Sequence, residues 1–561
     1  MRSILRRIKT SITFFLFLTF ITSACTAEEE RAPVQSPTEG LGTAFITHAD
    51  DVSVVTLHTW KITYTAAKEG ISTGGGIVFH ISPFWGWTPP QDRDPERPGF
   101  VSIKCSDRSK KLEIDVNSRN NYVVIRLKEQ PLNHNKQITL IYGDTQKKFA
   151  TAKARSDIYA EKNERLYIKV DGDGDGFFTP IKTHPKINIL SRSAKHFNVT
   201  VPSYIEPGKS FHVTAATLDN ADNWDKSYSR TIDLKSFPKG VSCLEIRTEG
   251  IGRLFQCITE KKDAFVLSAK NNDTAINTVS NPVVSTKKKP PLNLYWGDIH
   301  GHSNLSDGTG TPDDYFAYAR FAAGLDAAIL TDHDAWGFDR LDEHPEIWSF
   351  IKNKTAKHHK PDKFITFSGY EYTNFTTGHM HVIFKEEPAP LLSFRDPAYS
   401  TPNKLWKALK GHEAITIPHH VGGGPIATNW NYYDPKFMPL VEICSIHGNS
   451  ESIDAPDCIY KPVKGAFIRD ALARDYKLGI VASGKQIILD FKINNHMMGE
   501  TITLDKHTSK NIEIKITGTD RLRLVEVIKN NTSLEKYSWT DPTFSATFTD
   551  DSKSSTNDFT T

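Results

Sequence analysis

Residues Tyr295 to Asp334, YWGDIHGHSNLSDGTGTPDDYFAYARFAAGLDAAILTDHD, read as strand, polar loop, helix and strand. His300, His302, Asp307, Asp332 and His333 all fall where those strands end. On an extended strand, residues two apart point to the same side, so His300 and His302 present both imidazoles to one place. Nitrogen and oxygen ligands gathered at strand ends are what a cluster of divalent metal ions requires. The stretch therefore predicts sheet ends aligned around a metal-binding site.

The pattern extends from Leu292 to Gly484. Thr311-Pro312-Asp313-Asp314 is a helix start with a cap, proline in the first turn and acids against the helix dipole. Gly324 stops that helix, and DAAILTDH, DKFITFSGYEYT, HMHVIF, EAITIPHH, LVEICSIHG and KLGIVASG follow as apolar strands. Helical stretches such as PNKLWKALKGH and AFIRDALARDY lie between some of them. Strands alternating with helices and ending in polar residues predict a parallel, distorted α/β barrel over 292–484, with its site at the C-terminal rim.

The flanks read differently. SVVTLHTWKITYT, GGGIVFHI, YVVIRL, KQITLIYG and KSFHVTAATLD are short β-branched or alternating runs between turn residues. They predict β-sandwich domains over 43–187 and 188–286, joined to the barrel by Lys287-Lys288-Lys289-Pro290-Pro291. KQIILDFKINN, ETITL and KNIEIKITG predict a small C-terminal β domain over 485–549, and 550–561 is a polar tail expected to be disordered. The fold class is thus multidomain α/β plus β, with the barrel between β-rich flanks.

At the N-terminus, Arg2, Arg6, Arg7 and Lys9 precede an apolar run from Ile12 to Ile21 and then Thr22-Ser23-Ala24-Cys25. The run is too short to span a bilayer and has the layout of an export signal. Small residues before Cys25 resemble the lipobox of bacterial lipoproteins, although Thr22 stands where that motif usually has Leu. The resemblance implies a signal peptide over 1–24, acylation of Cys25, and a tether over 25–42 to the membrane of the cell envelope. Without the leader, 65 basic residues face 66 acidic ones, so no nucleic-acid partner is indicated. Export also permits disulfides. Cys243 with Cys257 flank an expected hairpin, and Cys444 with Cys458 flank a loop; these are the candidate pairs, with burial as small apolar residues the alternative.

Strand ends supply the ligand candidates His300, His302, Asp307, His333, Glu371, His381 and His419. Burying so many acid and imidazole groups without compensation would be costly. HGHSNLSDG, TDHD, GYEYT, HVIF and IPHH resemble the successive motifs of the PHP (polymerase and histidinol phosphatase) superfamily, in particular its exported bacterial branch of unknown function. The resemblance implies a hydrolase acting on phosphate esters through two or three ions of zinc, manganese or iron. It assigns those seven residues as ligands, with Glu371 as the bridge. His420 could be a ligand, an outer-shell group or a phosphate donor, or simply a rim residue. Asp298 or Asp332 could orient the imidazoles, while Glu442, His447 and Glu451 sit at the next rim position.

One departure qualifies the resemblance. The family closes its site with Asp-x-His after a strand resembling LGIVASG, whereas here Gly484 runs straight into KQIILDFKINNHMMG. Asp490 and His496 have the wrong spacing to replace that pair. The second expectation is therefore a non-catalytic surface lipoprotein that uses the barrel as a binding scaffold. Two weaker signals remain. Asp171, Asp173 and Asp175 match the first half of a calcium loop, but Lys182 occupies the position of its bidentate Glu. Phe84-Trp85-Gly86-Trp87 is either a carbohydrate platform or packing between strands.

Overall fold

The computed structural model describes residues 40–552 except 48–50, 82–85, 108–110, 146–149, 238–239, 247–252, 263, 272–275, 288–291, 338, 483 and 506. The expected leader, Cys25, nearly all of the tether, Phe84, Trp85 and the tail from 553 lie outside the described residues. Two compact units emerge. One ends at Arg192 and takes in Asp219–Asn223 and Thr309–Thr311; the other holds Ser193–Leu218, Trp224–Gly308 and everything from Pro312 onward.

In the first unit, an antiparallel sheet orders Thr43–Thr47, Trp60–Thr65, Gln137–Tyr142 and Val101–Cys105. A second sheet orders Thr179–Pro180, Tyr167–Asp171, Gly76–His80, Tyr122–Leu127 and Leu112–Asn117. Strand alternation is visible in Tyr122–Leu127, where Val123, Ile125 and Leu127 are buried and their neighbours half-buried. Ile62 and Leu140 of one sheet share a core with Phe79, Ile125 and Ile168 of the other. Trp87 belongs to that core: it is buried, donates to Glu164 Oε1 at 2.6 Å and packs against Trp60. It is a packing residue.

The second unit opens with two more sheets around Phe197, Val213, Phe255 and Leu267. Cys243 and Cys257 face one another across neighbouring strands and are disulfide-bonded. The unit closes with a four-stranded sheet built on Ile487–Ile493, Lys510–Gly518 and Thr543–Asp550, and a hairpin of Leu524–Lys529 with Thr532–Ser538. Ile512, Ile514, Val527 and Phe544 form its core.

Between these β-rich parts the expected parallel α/β barrel is not what forms. Strand accounts for 41% of the chain and helix for 8%, and the region holds three separate three-stranded sheets. Gly297–Gly301, Ala327–Leu330 and Ile365–Thr366 pair in parallel. Ser368–Tyr372, Met380–Phe384 and Ala414–Pro418 pair antiparallel instead. Chain length explains the first of these pairs, though not the second, whose connection from Lys385 to Glu413 is long. Only Thr373 to His379 separates Tyr372 from Met380, and a parallel crossover needs about a dozen residues or more. The third sheet carries Leu440–Ser445 between Gly448–Asn449 and Gly479–Ala482. Helices are few among the described residues, the longest here being Pro345–His358. None is long and apolar enough to cross a membrane, a statement that does not bear on strands.

Candidate metal centre

The first strand of the region delivers His300, and the polar loop after it is folded onto Asp332. That carboxylate accepts the Ser303 backbone N–H at 2.8 Å and the hydroxyls of Ser303 and Ser306 at 2.8 and 2.7 Å. Gly308 completes the loop, because a Cβ there would strike the His302 carbonyl. Asp298 likewise accepts the His300 backbone N–H and the Tyr315 hydroxyl. Both aspartates therefore hold the loop and strand, and other groups fix the rings. Glu442 Oε2 lies 3.0 Å from His300 Nδ1, and the Thr373 hydroxyl 2.7 Å from His333 Nδ1.

Glu371 stands at the centre, 1% exposed, and is placed by two backbone bonds to the neighbouring strand end around Asp332 and Asp334. Its two oxygens face different sets of imidazoles. Around Oε1 are His379 Nδ1 at 2.8 Å, His419 Nε2 at 3.2 Å and His333 Nδ1 at 3.3 Å. Around Oε2 are His302 Nε2 at 3.2 Å, His300 Nε2 at 3.8 Å and His381 Nε2 at 4.0 Å. His381 and Glu371 are direct partners across the antiparallel pair, so the hairpin itself brings them together. Asp307 Oδ1 completes the edge at 3.3 Å from His333 Nε2 and 3.7 Å from His302 Nδ1. All seven residues read from the sequence as ligands thus converge.

Their donor atoms fall into overlapping groups within 4.8 Å of one another: His302, Asp307 and His333; His300, Glu371, His381 and His419; and Glu371, His379, His419 and His420. His420 is buried, with a positive φ of 39°. Two residues missed as ligand candidates belong here. His379 lies two before His381 in GHMHVIF, and the same two-residue rule that paired His300 with His302 would have found it. Glu442 was placed at the rim, yet it fixes the His300 ring.

Electrostatics divide the cluster. Burial works against protonating His300 and His333, but Glu442 and Glu371 in the first case, and Glu371 and Asp307 in the second, outweigh it and raise both. Burial would likewise raise the carboxyls, yet the surrounding imidazoles hold Asp307 and Glu371 low. On the other side burial prevails. His379, His381 and His420 are depressed, and His419 and His447 are pushed down to about 3. These rings are neutral at pH 7 and short of donors. Neither nitrogen of His381 makes a hydrogen bond, nor do His379 Nε2, His419 Nδ1 or His420 Nδ1. Buried acceptors left without partners are costly. Each neutral ring carries one N–H and one lone-pair nitrogen; a divalent cation would satisfy the lone pairs, and imidazole with carboxylate is a donor set suited to zinc, manganese or iron. The residues fit a metal.

The other sequence candidates fare differently. Cys444 and Cys458 are not disulfide-bonded. Asn449 pairs with Cys444 on one side and bridges Cys458 on the other. An intervening strand puts the two cysteines about 10 Å apart, beyond disulfide reach. Asp490 and His496 sit in the C-terminal sheet, engaged with Lys492 and Glu500. In the first unit, Asp171, Asp173 and Asp175 do converge. Both oxygens of Asp171 accept N–H groups of the turn, from Gly174 and Gly176, while Asp173 and Asp175, both exposed, each accept one through Oδ1, from Asp175 and Phe177.

Similarity to other proteins adds a family without a chemistry. Residues 321–454 match a family described as "Protein of unknown function (DUF3604)". An uncharacterized protein of Chlamydia pneumoniae is 20% identical over 449 residues, covering 68% of this chain and 71% of that protein. Another from Chlamydia trachomatis is 24% identical over 356 residues, covering 61% of this chain and 56% of its own length. The chain thus spans little more than half of that relative. Among solved structures, the D00-D0 domain of intimin aligns at 13% identity over 44% of this chain and 100% of its own, with a TM-score of 0.19, too low to carry an argument.

Proposed function

We propose that this chain is a metal-dependent hydrolase of phosphate esters, of the kind its PHP-like motifs imply, working at the bacterial cell envelope. The observation that carries the reading is Glu371 with three imidazole nitrogens around each carboxylate oxygen, among buried rings that lack hydrogen-bond partners. His302, Asp307 and His333 would hold one ion, and His300, Glu371, His381 and His419 another. Bound divalent ions supply Lewis-acid polarisation of a phosphoryl oxygen and water activated at neutral pH. The chain's own groups fix the ligand orientation. Glu442 holds His300 by Nδ1 so that Nε2 faces Glu371, and Thr373 engages the Nδ1 edge of His333 while Nε2 faces Asp307. Outer partners of this kind set ring orientation and ligand basicity.

Elemental analysis of the purified chain should find zinc, manganese or iron. The same preparation should hydrolyse a nitrophenyl phosphomonoester or diester, and His302→Ala should abolish turnover. A chain without bound metal and without turnover would refute the proposal. Metal without turnover would favour the binding scaffold instead. One observation supports that second reading: Gly479–Ala482, the last strand before the missing Asp-x-His, is an edge strand with Ile480 44% exposed. Attachment to the envelope rests on the lipobox-like Cys25. Palmitate labelling of the full chain, lost in Cys25→Ala, tests it.

A further inference from the structure

The closing Asp-x-His of the family is absent, yet the cluster carries imidazoles that the seven motif positions do not use. His379 and His420 stand with Glu371 and His419 in a group of donor atoms within 4.8 Å of one another. Every member is buried: Glu371 is 1% exposed, His379 4%, His419 0% and His420 3%. His379 Nδ1 is already 2.8 Å from Glu371 Oε1, and the His379 and His420 rings are 5.0 Å apart. His379 Nε2 and His420 Nδ1 have no hydrogen-bond partner. His447 packs edge-on against His420 at 5.2 Å and backs it.

We infer that Glu371, His379 and His420 form an additional divalent-cation position, supplied by this chain's own hairpin and loop. This rests on the reading that the cluster binds metal. His419 has only one nitrogen facing Glu371, so it serves either this position or the one with His300 and His381. The new position is therefore defined by His379 and His420. Its side chains come from the short connection before Met380 and the turn after Pro418, which the antiparallel pairing of those strands sets side by side.

The test uses the full chain, stripped of metal with a chelator and titrated with zinc alone. The paired variant His379→Gln with His420→Gln should bind one equivalent fewer than the unmutated chain, with unchanged circular dichroism. Unchanged stoichiometry and affinity in the variant would overturn the inference while leaving the metal centre standing. No zinc uptake by the unmutated chain would overturn both. Should the paired variant fail to fold, cobalt titration of the unmutated chain decides. Three successive equivalents with visible bands of imidazole ligation support the position, and saturation at two removes it.

Discussion

Two regions of this molecule gather potential metal ligands, the imidazole cluster around Glu371 and the aspartate turn at 171–175, and they differ in what their donor atoms already do. In the turn, carboxylate oxygens accept backbone N–H groups from residues two to five positions ahead. Bonds of this kind build an ordinary Asx turn. In the cluster, buried ring nitrogens face one another and a single carboxylate, and several have no hydrogen-bond partner. Convergence of the right residue types is common to both. Burial separates them: the unpaired ring nitrogens of the cluster are shut off from water, whereas Asp173 and Asp175 stand exposed to it.

The largest effect expected from this contrast is at Glu371. Glu371→Gln keeps the shape but removes the one carboxylate that six imidazoles share. Zinc uptake by the cluster should fall by several orders of magnitude in a chelator-competition titration. Retention of native stoichiometry and affinity by the variant would break the comparison at its centre.

Acid should come next, measured as the urea midpoint of the metal-free chain in the presence of chelator. His379, His381, His419, His420 and His447 are depressed in the folded state. Below about pH 6.5 the unfolded chain takes up protons that the folded chain refuses, so stability falls as pH drops toward about 3. Each such ring removes at most about 2 kcal/mol between pH 6.5 and 5. The depressed carboxyls of Asp307 and Glu371 add to the loss further down, below the unfolded carboxylate range. His300 and His333 act in the opposite sense: their contribution is full below pH 6.5 and is lost as pH rises through their elevated values. Asp157, Asp334 and Asp342, pushed up to about 6 by burial, oppose the loss in acid by taking protons first in the folded chain, but the depressed rings outnumber them and the acid side should be the steeper. A midpoint that stays level or rises between pH 6.5 and 5 would contradict the burial of neutral imidazoles.

Much of the cluster was legible in the sequence because ligands sit at strand ends, and strand ends are marked by a change from apolar to polar residues. His300, His302, His333 and His419 converge for that reason, whereas Asp307 comes from the loop after the first strand and His381, inside an apolar strand, is brought in by its pairing with Glu371. The barrel was misread because apolar runs show where strands are and not which way they run. Direction lay in the connections: the few residues from Thr373 to His379 allow a hairpin and forbid a crossover. His379 was passed over because His381, two residues on, fitted the motif. The roles of Asp298 and Asp332 were not readable at all, since both accept from backbone groups whose position depends on the folded loop. Cys444 and Cys458 looked like a pair in sequence, and only the strand Gly448–Asn449 between them shows otherwise.

Added metal should distinguish the two regions directly. Zinc at a hundredfold excess over its dissociation constant should stabilise the chain by about 2.7 kcal/mol for each independent site, seen as a raised Tm. Calcium, which prefers oxygen ligands, should raise Tm far less, because Asp173 and Asp175 are exposed and Lys182 stands where the bidentate Glu of a calcium loop would be. Equal stabilisation by both ions would erase the distinction.

The smallest effect belongs to Asp173. Its side chain is exposed and its Oδ1 accepts only the Asp175 N–H, at 3.2 Å. Asn keeps that acceptor, so Asp173→Asn should change stability by no more than about 0.5 kcal/mol in urea unfolding, with or without calcium. The informative failure would be a chain that calcium stabilises and the variant that it does not. The exposed carboxylates of the turn would then be holding an ion, and burial would no longer separate the region that needs a cation from the one that does not.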